Sequence, residues 1–277
     1  MKAFRRLAER RPVGFAFLLL LIWVVIAGLV NGLVITLFKT SLDNPIALQA
    51  GNLISTCVLL LMAQSLGWFH KIGIAKLGVP SIWLVTFALA IYIVLVGFYA
   101  FFEDFTFAFG TLYATQESRN ILLQSLLAGF VEETVFRGVL LYAFVRVWGK
   151  TRRGIIASVM VQAALFGVLH SLQIFAGVTT DAAMANVLET FIFGILTGAV
   201  VLLGGTIWPA IFLHLVSNAF LLIKGLSSPW IDLAFIGYLR QASMESFVAL
   251  ICLWIVLKKK PAQHVSLKMN LETSTSK

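Results

Sequence analysis

Charged residues are scarce in this sequence. Lys, Arg, Asp and Glu make up 12% of the 277 residues, whereas hydrophobic residues make up 60%. Soluble domains contain about 25% charged residues, because their surfaces must be covered with polar groups. The lack of charge therefore argues against a soluble fold and predicts an integral membrane protein in contact with lipid.

Several functional classes lack their usual signatures. The two cysteines, Cys57 and Cys252, lie within apolar runs and are interpreted as small buried hydrophobes. The net charge of +9 comes without a Gly-rich phosphate loop or an aromatic–basic face, so nucleic acid is not an expected partner. The apolar runs also contain no Asp-rich motif of the kind that a membrane prenyltransferase would need for diphosphate.

Long apolar runs are abundant. Val13–Val30 contains no charged or strongly polar side chain, and about 20 apolar residues suffice to cross a bilayer. The length of this run favours a membrane anchor over a signal peptide, whose apolar region is about 7–15 residues long. We predict eight spans, at Val13–Phe38, Ile46–Phe69, Ile82–Phe102, Ile121–Val145, Ile155–Phe175, Ala185–Leu203, Ile207–Ile223 and Phe247–Leu257.

These runs are too long for the strands of a β-barrel, so the predicted fold is an all-α polytopic membrane protein. If the last span begins earlier, near Ile231, we expect a break around Arg240 to Glu245. Residues 1–260 are predicted to form a single transmembrane helical domain, and residues 261–277 a polar, disordered tail.

The basic residues are distributed unevenly between alternate loops. With the N-terminus inside, sixteen Lys and Arg residues lie in inner segments, whereas Lys39, Arg119, Lys224 and Arg240 lie in outer segments. Because cytoplasmic loops are enriched in Lys and Arg, we predict that both termini are cytoplasmic. The expected location is the cell membrane.

Small and uncharged polar residues within the runs are interpreted as helix-packing features. Two G-x-x-x-G pairs, Gly28–Gly32 and Gly194–Gly198, are predicted to allow close helix approach. Interhelical hydrogen bonds are the expected role of four polar residues, Asn31, Asn52, Gln64 and Gln162.

Ionisable residues within spans indicate function, because each costs about 2.5–3.5 kcal/mol to insert. The fourth span contains Glu132, Glu133 and Arg137. Glu133 and Arg137 are four residues apart in the favoured order for a helical ion pair, and Glu132 points about 100° away. Glu132 is therefore left without a partner on its own helix. An unpaired carboxyl in apolar surroundings suits a general base.

Two later spans add histidines. Phe166 and His170 share one helix face in the fifth span, and His214 and Asn218 share one in the seventh, because each pair is spaced i, i+4. Asn186 and Glu189, at the start of the sixth span, are weaker candidates. Glu132, His170 and His214 include the ligand types of zinc, but no H-E-x-x-H motif is present.

Three motifs in order, Glu132-Glu133-x-x-x-Arg137, Phe166-x-x-x-His170 and His214-x-x-x-Asn218, resemble those of the CAAX protease and bacteriocin-processing (CPBP, or Abi) family. The resemblance covers about residues 120–223. It implies an eight-helix intramembrane endopeptidase that acts on peptides or proteins, including lipidated ones.

The resemblance also implies residue roles. Glu132 would activate the attacking water with help from His170, whereas His214 and Asn218 would stabilise the oxyanion. Glu133, Arg137 and Phe166 would support them. The family is often labelled as metalloproteases, so a zinc ion bound by Glu132, His170 and His214 is an alternative. The preferred mechanism has no tightly bound metal.

A non-catalytic membrane protein, such as a transporter or an immunity scaffold, is the alternative, with the same polar groups binding an ion or a partner. Transporters typically contain inverted repeats with interrupted helices in both halves. Here the cluster of candidate residues, from Glu132 to Asn218, is confined to the second half of the chain, which favours the protease.

Overall fold

The structure is a computed structural model that describes residues 2–39, 45–101, 116–227 and 233–258. Within these ranges every regular element is helical, as predicted. The α-helices are α1 (Lys2–Arg10), α2 (Pro12–Phe38), α3 (Pro45–Ser65), α4 (Pro80–Phe101), α5 (Gln116–Glu133), α6 (Leu141–Trp148), α7 (Arg152–His170), α8 (Thr180–Gly204), α9 (Trp208–Ser227) and α10 (Leu233–Lys258). A π-helix, Thr134–Leu140, joins α5 to α6, and a 3₁₀-helix, Ser171–Ala176, follows α7.

Local sequence signals explain several helix ends. Helices α2, α3 and α4 each begin at a proline, which lacks the N–H that would have no partner in the first turn. The Thr179 hydroxyl caps α8 by accepting a hydrogen bond from the Ala182 N–H. Gly205 ends α8 in the left-handed region, with φ of 66°.

Four helical segments of the described chain are long and apolar enough to cross a membrane: Pro12–Phe38, Arg152–Phe175, Thr180–Gly204 and Phe235–Lys258. They correspond to the first, fifth, sixth and eighth predicted spans. The remaining four predicted spans and the cytoplasmic position of both termini stay predictions. The predicted tail, residues 261–277, lies outside the described residues.

The predicted break around Arg240 to Glu245 is wrong, because α10 runs without interruption from Leu233 to Lys258. Polar residues in this stretch suggested a loop. Gln241 and Glu245 are instead buried, and they hydrogen-bond to each other across one helical turn. Their polar groups are therefore accommodated inside the helix bundle.

Helix α8 lies at the centre of the second half of the fold, where it packs against α7, α9 and α10. The Gly194–Gly198 pair confirms the predicted close approach. A Cβ on Gly194 would lie 2.9 Å from the Ala163 Cβ, and one on Gly198 would lie 2.8 Å from the Gln162 side-chain nitrogen. Gln162 also donates a hydrogen bond to the Gly194 carbonyl at 2.7 Å.

The Gly28–Gly32 pair behaves differently. A Cβ at either position would meet no atom of the described chain within 4 Å, so the predicted packing role of this pair is wrong here. Asn31, between them, does form the predicted interhelical hydrogen bond, since its side-chain oxygen accepts from the Gly51 N–H of α3 at 3.0 Å.

The segment that precedes α4 fixes the start of α9. The Gly73 carbonyl accepts a hydrogen bond from the Ile207 N–H at 3.3 Å, and the Ile74 carbonyl accepts one from the Trp208 indole at 2.9 Å. Gly73 has φ of 84°, and a Cβ there would lie 2.9 Å from the Thr206 Cα, so glycine is required. Helix α9, with His214 and Asn218, is thereby anchored at its first turn.

Candidate active site

The predicted acidic motif lies where an α-helix changes to a π-helix. Glu132 and Glu133 are the last residues of α5, and Arg137 lies in the π-helix Thr134–Leu140, all seven residues of which are buried. Single π-helical turns within α-helices occur frequently at functional sites. The motif thus joins an unusual backbone geometry to three ionisable side chains.

Glu133, Arg137 and His214 form a buried group that we call the arginine cluster. Glu133 Oε1 lies 2.9 Å from Arg137 Nη1, and both side chains are fully buried. The same oxygen accepts a hydrogen bond from His214 Nδ1 at 2.8 Å. The predicted ion pair is therefore confirmed, and it extends to a histidine 81 residues further along the chain.

Phe166 packs beside this cluster. The Arg137 guanidinium carbon lies 4.1 Å from the centre of the Phe166 ring, close enough for a cation–π contact. The ring centres of His170 and His214 lie 4.7 and 6.0 Å from that of Phe166. Phe166 thus contacts both histidine rings and covers the buried arginine.

Glu132 is positioned differently from Glu133. Its side chain is 25% exposed, and its Oε2 lies 3.8 Å from His214 Nε2. This oxygen has no hydrogen-bond partner among the described residues. As predicted, Arg137 pairs with Glu133 rather than with Glu132, and the Glu132 carboxyl faces a cavity.

His170 is oriented by its own helix. Its Nδ1 donates a hydrogen bond to the Phe166 carbonyl at 2.9 Å. This bond fixes the ring at the end of α7, directly before the 3₁₀-helix, and leaves Nε2 as the ring nitrogen available to a ligand.

One cavity of about 610 Å³ is bordered by all the residues to which the sequence assigns direct chemistry: Glu132, His170, His214 and Asn218. They come from α5, α7 and α9, and Phe166 also lines the cavity. Sequence reasoning did not assign other polar residues of the wall, among them Gln49, Gln124, Ser125, Gln173, Thr190, Ser217 and Tyr238. The two weaker candidates, Asn186 and Glu189, lie in this wall as well.

A second buried polar group, which we call the glutamine cluster, joins α8, α9 and α10. The Gln241 side-chain nitrogen lies within hydrogen-bond distance of Glu189 Oε1 at 3.0 Å, Glu245 Oε1 at 2.9 Å and Ser217 Oγ at 3.2 Å. All four residues are buried. Gln241 and Glu245 were missed because their polarity suggested a break in the last span.

The possible zinc ligands do not form a metal site as they stand. In the described part of the chain, no three His, Cys, Asp or Glu side chains are grouped closely enough to hold a metal ion. Nδ1 of each histidine is bonded to Glu133 in one case and to the Phe166 carbonyl in the other, an arrangement that metal-ligating histidines also use, so this geometry does not decide the question. We therefore derive no catalytic step through a metal.

A comparison with protein-family models identifies the matching family. Residues 89–220 match the type II CAAX prenyl endopeptidase Rce1-like family. Over this region the chain is similar to the Rce1-like family. The match confirms the predicted resemblance and includes Glu132, His170, His214 and Asn218. No curated protein and no solved structure matches the chain significantly.

The Rce1-like match and the apolar helices together support an integral membrane protein with protease activity at the level of the family. They also support a peptide or protein as the substrate. The match ends two residues after Asn218, so α10 lies outside the Rce1-like region. All three hydrogen bonds of the glutamine cluster involve Gln241 of α10, so each lies outside this region or crosses its boundary.

Proposed function

We propose that this protein is an intramembrane endopeptidase in which Glu132 activates the attacking water. One observation carries the proposal: a single cavity contains a carboxyl, two imidazoles and a carboxamide from three helices that are distant in sequence. Peptide hydrolysis requires a base for water and donors for the developing oxyanion, and these side chains supply both.

In the proposed reaction, the Glu132 carboxylate takes a proton from water while the water oxygen attacks the peptide carbonyl carbon. His170 orients this water. The carbonyl oxygen becomes an oxyanion that accepts hydrogen bonds from the Asn218 side-chain amide and from Nε2–H of His214 in its imidazolium form, because the other ring hydrogen, on Nδ1, is donated to Glu133. When the C–N bond breaks, Glu132 returns its proton to the departing amine.

Glu133 acts through His214 in this scheme. Its hydrogen bond to Nδ1 fixes the imidazole ring, so that Nε2 is the ring nitrogen that lies near Glu132. Arg137 in turn holds Glu133. We therefore place Glu133 and Arg137 as positioning residues and keep direct contact with the substrate for Glu132, His170, His214 and Asn218.

Lipidated peptides are included among the proposed substrates because the matching family is described as CAAX prenyl endopeptidases.

We also propose that the protein lies in the plasma membrane. Because Lys and Arg are distributed unevenly between loops, we propose that both termini face the cytoplasm. Impermeant labelling of cysteines placed at positions 2 and 277 in intact cells tests this: labelling of either contradicts it.

The first prediction concerns the base. Glu132→Gln should lower turnover of a cleavable peptide by about 10²–10⁴-fold, because the amide cannot accept the proton of water. Turnover of purified protein in detergent or nanodiscs is the measurement. The matched control is Glu9→Gln, which changes a partly exposed ion pair with Arg146 outside the cavity and should leave turnover unchanged. Full activity of Glu132→Gln would contradict the proposal and favour a non-catalytic role for the cavity.

The second prediction concerns the oxyanion donors. Asn218→Ala should reduce kcat by about 10²–10³-fold, the usual cost of removing one such donor. Adding His214→Ala should cost less than the product of the two single effects, because residues that act as a unit lose activity non-additively. Independent, multiplicative effects would show that the two side chains serve separate steps.

Elemental analysis distinguishes this mechanism from a metal-dependent one. We expect purified active protein to contain no stoichiometric zinc and to keep its activity after chelation. One zinc per chain, lost together with activity in both His170→Ala and His214→Ala, would instead make the histidines metal ligands.

A further inference from the structure

Glu189 borders the candidate active-site cavity but has no part in the proposed hydrolysis. We propose that Glu189 is a specificity-determining residue that binds a positively charged Lys or Arg side chain of the peptide substrate. This inference rests on the proposed protease function and names the substrate class more narrowly.

The position of Glu189 places it near the scissile bond. Phe193, one turn further along α8, packs against His214 with ring centres 5.4 Å apart. Ser217, one turn beyond His214 on α9, lies in the same glutamine cluster as Glu189. Glu189 therefore lies about one helical turn, roughly 5 Å along α8, from the residue that packs against the proposed oxyanion donor. An extended peptide advances about 3.3 Å per residue, so a side chain within about two residues of the scissile bond could reach Glu189.

The carboxyl of Glu189 is pre-organised. The Gln241 side-chain nitrogen holds Glu189 Oε1 at 3.0 Å, while Gln241 is itself held by Glu245, one turn along α10. Glu189 is 3% exposed, so its position is set by packing as well as by this bond. A fixed acceptor in a dry wall discriminates between ligands better than a mobile surface carboxylate.

The charge around Glu189 is unbalanced. Unlike Glu133, Glu189 forms no ion pair with a Lys or Arg among the described residues, and the described cavity wall contains no Lys or Arg. A buried carboxylate needs a counter-charge or a proton. A cationic substrate side chain would supply that counter-charge on binding.

The test uses purified full-length protein and quenched fluorescent peptides that are identical except at one position within two residues of the scissile bond. That position is Lys, Arg, norleucine or Glu. With wild-type protein we expect kcat/KM for the Lys and Arg peptides to exceed that for norleucine by on the order of 10-fold or more. The Glu peptide should be the poorest substrate.

Glu189→Gln should reduce the Lys-to-norleucine ratio of kcat/KM to about one, because it removes the charge but keeps the shape and the acceptor oxygen. Glu9→Gln is the control and should keep the wild-type ratio. A purely structural Glu189 would slow all four peptides equally and leave the ratio unchanged. That result, or a wild-type enzyme without preference for Lys or Arg at any tested position, would overturn the inference. The wild-type comparison remains decisive even if Glu189→Gln does not fold.

Binding to the Glu132→Gln protein separates this inference from the proposed function. If no peptide is cleaved by wild type, the protease proposal fails. Tighter binding of the Lys peptide than of the norleucine peptide by Glu132→Gln protein would still support the cationic subsite, and equal binding of the two would overturn it.

Discussion

The arginine cluster and the glutamine cluster are two solutions to placing carboxyl groups inside a membrane domain. In the first, Glu133 has a guanidinium at 2.9 Å and an imidazole at 2.8 Å. In the second, Glu189 and Glu245 share the side-chain amide of Gln241, which is neutral. The first cluster balances the charge of its carboxylate internally. The second gives each carboxyl a hydrogen bond from Gln241 but no Lys or Arg counter-charge among the described residues.

This difference separates a positioning role from a binding role. The Glu133 carboxyl is fully buried and does not line the cavity, and its Oε1 contacts both Arg137 and His214, so it can hold His214 but is not placed to bind a ligand. Glu189 lines the cavity, and no Lys or Arg of the described chain forms an ion pair with it. Substitutions that alter charge should therefore affect folding at the first cluster and substrate preference at the second.

The largest effect should follow from removing the positive charge of the arginine cluster. Arg137→Met should destabilise the fold by about 3–5 kcal/mol, because a fully buried carboxylate loses its counter-ion. Unfolding in mixed detergent micelles, followed by circular dichroism, measures this. The double variant Glu133→Gln/Arg137→Met should recover part of the loss, since no unpaired charge remains. A double variant less stable than Arg137→Met alone would show that the pair is not coupled in this way.

A smaller effect is expected at the neutral hub of the glutamine cluster. Gln241→Leu should destabilise by about 3 kcal/mol at most, since Glu189, Glu245 and Ser217 lose a shared donor but no charge is stranded beside a lost counter-ion. The same unfolding experiment applies. Ser246→Ala on the same helix is the control, because its hydroxyl bonds only to backbone carbonyls within α10 among the described contacts. A Gln241→Leu cost as large as that of Arg137→Met would erase the distinction between the clusters.

The smallest effect compares two glycines. Gly194→Ala should destabilise by about 1 kcal/mol, because its methyl would lie 2.9 Å from the Ala163 Cβ and 3.4 Å from Arg137 Nη2 beside the arginine cluster. Gly28→Ala adds a methyl with no described atom within 4 Å, so it should be neutral or stabilise by up to about 1 kcal/mol through helix propensity. Equal effects of the two substitutions would show that close packing does not decide which glycine is required.

The sequence predicted the local relationships in this protein well. The Glu133–Arg137 pair depends on spacing within one helical stretch, and the sharing of a face by His214 and Asn218 follows from the same periodicity. The all-helical fold follows from the length of the apolar runs. These features need no knowledge of how helices pack together.

Contacts between helices were not predictable in the same way. The hydrogen bond from His214 to Glu133 joins residues 81 positions apart, and no spacing rule relates them. The break proposed around Arg240 to Glu245 failed for a related reason. Polar residues in a span can indicate either an interruption or a buried partner, and the partner of Gln241 lies 52 residues away in Glu189. The two glycine pairs likewise have identical spacing but different neighbours.

The π-helix Thr134–Leu140 also has a consequence for the evolution of this segment. A π-helix holds more residues per turn than an α-helix and does so without interrupting the helix. The residues before it and after it are therefore rotated about the helix axis relative to their positions in a continuous α-helix. Deleting one residue there would restore α-helical hydrogen bonding but rotate Glu132 by about 100° relative to α6. An insertion or deletion in this segment would therefore keep the helical hydrogen bonding but would change the direction of the Glu132 side chain. Related chains should therefore keep the residue count between Glu132 and Leu141 constant.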